Sequence, residues 1–140
     1  MTPIQLPPQP IPNQPRLFLT SMSAAGEVAN MTEMIEPLLP WLDGIIWVLN
    51  DAGPDDPGAR YLETVKGAGA VIHRPLPKRG GPLRHDHAMS DTLHSGLIEE
   101  GAHVLFCDPL ERPAAAFVSR IKTEVGPMMV EAELECLFYY

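Results

Sequence analysis

The sequence predicts a three-layer α/β/α domain built on a mainly parallel sheet. Short apolar runs of strand length alternate with segments of helical period, four times over. The runs are apolar on both faces, as strands covered on both sides of a sheet must be. The 140 residues suffice for one domain with a core of its own and are too few for two.

Residues 1–15 (MTPIQLPPQPIPNQP) hold six of the 16 prolines and no charge, the composition of an extended arm or linker. The domain proper is expected over 16–140. Leu17 to Thr20 is a first strand. Over 24–39, Val28, Met31, Ile35 and Leu38 recur at steps of three and four, which predicts an amphipathic helix ended by Pro37 and Pro40. Gly44 to Leu49 (GIIWVL) is a second strand. A turn-dense stretch from Asn50 to Gly58 then leads into a short helix through Tyr61, Leu62 and Val65. Ala68 to His73 is a third strand, and residues 74–84 (RPLPKRGGPLR) a basic Gly/Pro-rich loop. His87 to Glu100 reads as a long helix with Met89, Leu93 and Leu97 on one face. His103 to Cys107 is a fourth strand, and Pro113 to Glu124 a fourth helix with Phe117, Val118 and Ile121 inward.

Ten Lys and Arg stand against 18 Asp and Glu, a formal net charge of −8. Such a surface repels phosphate backbones, so no nucleic-acid partner is expected. Two cysteines, Cys107 and Cys136, are too few for a disulfide framework and form no C-x-x-C pair; they read as reduced, buried thiols. The first 15 residues lack the basic and apolar regions of a signal peptide, and no run has the length of a membrane span. A cytoplasmic location is the expectation.

Right-handed crossovers bring the carboxyl ends of all parallel strands to one edge, where open α/β sheets bind ligands. Two acidic clusters directly follow strands and so meet there: Asn50-Asp51 with Asp56, and Asp108 with Glu111. Asp51 can accept hydrogen bonds from a base or ribose, while Gly53 and Pro54 make the tight turn. Asp56 can equally cap the next helix. Asp108 and Glu111, three residues apart, can share a hard cation such as Mg²⁺ or Mn²⁺ with nucleotide phosphates. The plainer alternative is that Asp108 ends a strand and Glu111 caps a helix. Lys78, Arg79 and Arg84, beside Gly80 and Gly81, are the main cationic concentration and suit a diphosphate. His87, Asp91 and His94 share a helical face. Two turns, roughly 10 Å, separate the histidines, too far for one ion.

These residues resemble the family 2 glycosyltransferases, whose fold is the nucleotide-diphospho-sugar transferase (GT-A) type with a Rossmann-like nucleotide-binding half. Val48 to Gly58 (VLNDAGPDDPG) is similar to the family's V-D-D-G-S-T-D-G-T motif. Asp51 falls on the leading Asp that binds the base, Gly53 on its Gly and Asp56 on its later Asp. Met89 to Leu97 (MSDTLHSGL) resembles F-S-x-Q-R-N-x-G-L, and Gly101 to Pro113 resembles G-x-W-I-L-F-L-D-A-D-E-R-P. The blocks together run from about Arg16 to Arg120. Leu110 stands at the second Asp of the family's D-x-D, Leu93 at an Arg facing the diphosphate, and His94 at an Asn.

The resemblance implies binding of a nucleotide-diphospho-sugar. Asp51, Gly53 and Asp56 would lie at the nucleoside, Lys78, Arg79 and Arg84 at the phosphates, and Asp108 with Glu111 at a divalent Mn or Mg ion. An active member transfers the sugar to an acceptor hydroxyl with inversion. The acceptor is unknown, and no residue here is assigned as catalytic base. The family's base lies in an acceptor-binding half beyond this point, and EAELECLFYY reads as an interrupted element. The alternative expectation is a non-catalytic α/β module with a degenerate donor site, acting in assembly, with the proline-rich arm joining copies into a homo-oligomer.

Overall fold

A computed structural model describes residues 14–50, 52–65, 71–74, 89–90, 92–108 and 111–133. The elements run β1 (Leu17–Ala24), α1 (Val28–Ile35), a 3-10 turn (Glu36–Trp41), β2 (Gly44–Asn50), α2 (Pro57–Thr64), β3 (Val71–Arg74), β4 (His103–Phe106) and α3 (Ala115–Arg120). A π-helical turn (Ile121–Val125) and α4 (Gly126–Glu131) complete them. The strands form one open sheet in the order β3-β2-β1-β4, and every pairing is parallel. The chain is therefore an α/β domain.

β1 is one of the two inner strands, with Phe18 opposite Gly44 on one side and Val104 on the other. It runs four residues past the predicted Thr20, through Ser21-Met22-Ser23-Ala24. Two serines argue against a buried strand, yet both hydroxyls are engaged. Ser21 donates to the Cys107 carbonyl at 2.6 Å, and the Trp47 indole N–H donates to Ser23 Oγ at 2.8 Å. A buried polar group is tolerated when it is bonded.

Side-chain alternation sends Leu17, Leu19, Ile45, Trp47 and Leu49 to one face. They pack with Met31, Met34 and Ile35 of α1, Leu38 of the 3-10 turn, Ala59 and Leu62 of α2, and Val118 and Ile121 of the C-terminal helical run. Met22 and Val48, with Phe106 against them, form a smaller cluster. β4 at the sheet edge is half-buried along its whole length, unlike the double-faced burial expected of it.

The helices depart from expectation for local reasons. Pro37 has no N–H to continue the α-helical ladder, so α1 stops at Ile35 and tightens into the 3-10 turn. The helix expected over 87–100 is helical at 89–90 and 92–93 and then breaks into turns; Gly96 and Gly101 take positive φ of 75° and 84°. Ser95 Oγ accepts from the Leu97 N–H, a local bond that competes with helix continuation. The last helix instead outlasts its predicted end at Glu124. Pro127 would clash with a normal turn before it, and the π turn widens the backbone there, with Gly126 N–H reaching Ile121 O.

At the amino-terminal edge, Arg16, Asp43 and Lys122 come from three distant segments. Asp43 Oδ2 accepts from the Leu17 N–H at 2.8 Å and pairs with Lys122; Arg16 pairs with Glu99 and stacks 5.2 Å over the Phe18 ring. Among the described residues no helix is long and apolar enough to cross a membrane.

Candidate functional site

The carboxyl edge is bordered by the segments after β1, β2 and β4. β1 lies between β2 and β4, so the chain builds leftward from β1 to β3 and then returns to β1's other side. The reversal falls between β1 and β4, the place where open sheets leave a crevice. Of the sequence-predicted site residues, Gly53, Asp56, Asp108 and Glu111 are described. Asp51, Lys78, Arg79 and Arg84 lie outside the described residues, as do His85, His87, Asp91, Leu110, Cys136 and the arm through residue 13.

Gly53 is exposed in the turn, and its carbonyl accepts from the Asp56 N–H at 3.1 Å. Asp56 is the N-cap of α2: Oδ2 accepts from Gly58 N–H at 2.8 Å, with Pro57 at the first helical position. Its other oxygen accepts from Gly26 N–H at 3.1 Å, in the loop after β1. Gly26 has φ of 82°, which a side chain would strain. One carboxylate thus ties the β1–α1 loop to the start of α2. Glu27 completes that loop by accepting from the Ala24 N–H.

On the other side of β1, the Glu111 N–H donates to Asp108 O at 2.9 Å, closing a turn directly after β4. Glu111 does not cap the following helix. α3 begins at Ala115 behind Ala114, which offers no side-chain cap. Burial, then the charges of Glu111 and Asp108, push the Cys107 thiol up to about 12. Both carboxylates therefore act on the same point at the end of β4, and the thiol there stays protonated and unreactive at neutral pH. Arg112 joins this turn to α1 through Glu33 and Asn30. Nothing in the spacing of the sequence announces that link. Among the described residues no three His, Cys, Asp or Glu side chains gather as a metal site.

No protein-family model, curated protein or solved structure matches the chain. Its chemistry has to be read from the edge itself. Two turns held by their own hydrogen bonds, after β2 and after β4, lie on either side of β1, and each carries acidic residues.

One further polar group stands at this edge. Asn50 closes β2, opposite Ala24 of β1 and Arg74 of β3. Its Nδ2 is buried and has no hydrogen-bond partner among the described residues. The sequence marks Asn50 as the start of the turn and gives no sign of the unpaired donor.

Proposed function

We propose that the chain is a nucleotide-sugar-binding domain of the family 2-like glycosyltransferase kind, with a three-layer, Rossmann-like arrangement. The observation that carries this reading is the strand order β3-β2-β1-β4. It sets the reversal between β1 and β4, with the turn after β4 beside it and the turn after β2 on the other side of β1. In this reading the nucleoside lies at Asp51 and Gly53. Asp56 holds the neighbouring backbone, and Lys78, Arg79 and Arg84 meet the diphosphate.

Asp108 and Glu111, two carboxylates on one turn, are the donor type a hard divalent cation takes and would hold it there. When bound, Mn²⁺ or Mg²⁺ would neutralise charge developing on the diphosphate leaving group. An acceptor hydroxyl then attacks the anomeric carbon as the bond to the diphosphate breaks, inverting that centre; its proton goes to a base. Leu110 and Leu93 remove a carboxylate and a cation from the family pattern.

Calorimetric titration of UDP and other nucleoside diphosphates in the presence and absence of Mn²⁺ tests the reading. The expected result is saturable binding strengthened by Mn²⁺, with that gain lost in Asp108→Asn/Glu111→Gln. Absence of binding by the folded protein overturns it.

A further inference from the structure

Resting on that reading, we infer that Asn50 is a specificity-determining residue whose carboxamide donates to a keto oxygen of the bound nucleobase. Asn50 is the last residue of β2, next in sequence to Asp51 and in register with the end of β1. The side chain as a whole is half-buried, so it borders the surface, while Nδ2 itself is shut from water. A donor left unbonded in that position costs stability, and a folded protein retains one where a ligand supplies the acceptor or where a shape demands it. In the neighbouring strand the buried Ser21 and Ser23 hydroxyls each have a partner, whereas Thr20 Oγ1 has none among the described residues.

The chemistry of the group selects the ligand atom. A carboxamide N–H is a neutral donor and matches a neutral carbonyl oxygen, whereas phosphate oxygens are better met by Lys and Arg. Uracil and guanine carry keto oxygens and adenine carries none. A site that reads the base through Asn50 therefore prefers UDP or GDP to ADP. A hydrogen-bonding site rejects an analogue lacking the matching group because its own polar atom is then left unpaired.

The test titrates UDP, GDP and ADP, with Mn²⁺ present, into the wild type, Asn50→Asp and Asn50→Leu, with thermal melting of each. The wild type is expected to favour UDP, both variants to bind UDP about tenfold or more weakly, and ADP binding to stay unchanged. Asn50→Leu is expected to melt no lower than the wild type, since it removes an unpaired group. Variants that bind UDP as the wild type does overturn the role of Asn50 and leave the nucleotide-binding reading standing. Equal losses for UDP and ADP, or a lower melting temperature for Asn50→Leu, also overturn it. A wild type that binds none of UDP, GDP and ADP overturns both.

Discussion

At the scale of single residues, the buried strand β1 carries polar groups of opposite standing. The Ser23 hydroxyl accepts from the Trp47 indole N–H in the core, whereas Thr20 Oγ1 is buried without a partner among the described residues. Ser23→Ala strands that N–H and is expected to cost about 1–3 kcal/mol; Thr20→Val removes an unpaired atom and is expected to be neutral or stabilising. Urea unfolding of the two variants checks the contrast, and equal losses would contradict it. Cys107 gives a second prediction. With its thiol pushed up to about 12, alkylation by iodoacetamide in the native state is expected to be very slow at pH 8 and to accelerate steeply in more alkaline buffer. Asp108→Asn and Glu111→Gln each lower that barrier and are expected to speed the reaction at fixed pH. The serines explain why β1 was only half legible. A reader of Ser21-Met22-Ser23-Ala24 cannot see that Cys107 and Trp47, 86 and 24 residues away, hold their hydroxyls.

At the scale of elements, close approach governs where strands meet. A Cβ built on Gly44 would lie 2.4 Å from the Phe18 ring, which occupies the space beside the glycine. Gly44→Ala must push the ring aside, at an expected cost of about 1–3 kcal/mol in thermal or urea unfolding. A variant of wild-type stability would show that the ring has another place to go. The elements that could be read from sequence were those whose pattern ended in a physical stop: α1 at Pro37, α2 behind Asp56 and Pro57. The long helix over 87–100 was misread because Met89, Leu93 and Leu97 keep helical spacing but are exposed, Leu93 at 61%. Periodicity signals a helix only when the stripe has a core to face. The continuation past Glu124 was hidden by Pro127, whose clash the π turn absorbs.

At the scale of the whole molecule, acid acts on two groups at the sheet's amino-terminal edge. Burial raises the Asp43 carboxyl, but the Lys122 and Leu17 hydrogen bonds and the charges of Lys122 and Arg16 outweigh it, leaving a net value below 3.8. Burial lowers His103 below 6.5. In both cases the unfolded chain takes up protons first as pH falls, so stability declines with acid. The decline is expected to begin near pH 6.5 with His103, and a further loss sets in below pH 3.8 with Asp43. Equilibrium unfolding against pH checks this; His103→Gln is expected to remove the upper step and Asp43→Asn the lower. The cluster itself was not legible, because Arg16, Asp43 and Lys122 meet only through the fold. The carboxyl edge was more legible, since any acidic turn directly after a parallel strand must arrive there. What the turns do to one another, as Asp56 does to Gly26, depends on loop geometry that spacing does not encode.

The position of β1 also sets the order in which the chain can complete itself during synthesis. β1 and β2 pair across a short connection, but β1's second neighbour is His103–Phe106, about eighty residues later. A chain emerging from the ribosome can zip β1 to β2 early. It must then hold the other side of its most buried strand open until β4 is made. During that interval the backbone groups of Leu17 to Thr20 form a bare strand edge, the kind of surface that recruits other chains. Among the described strands, the latest to arrive is thus the one that closes the aggregation-prone side of the earliest.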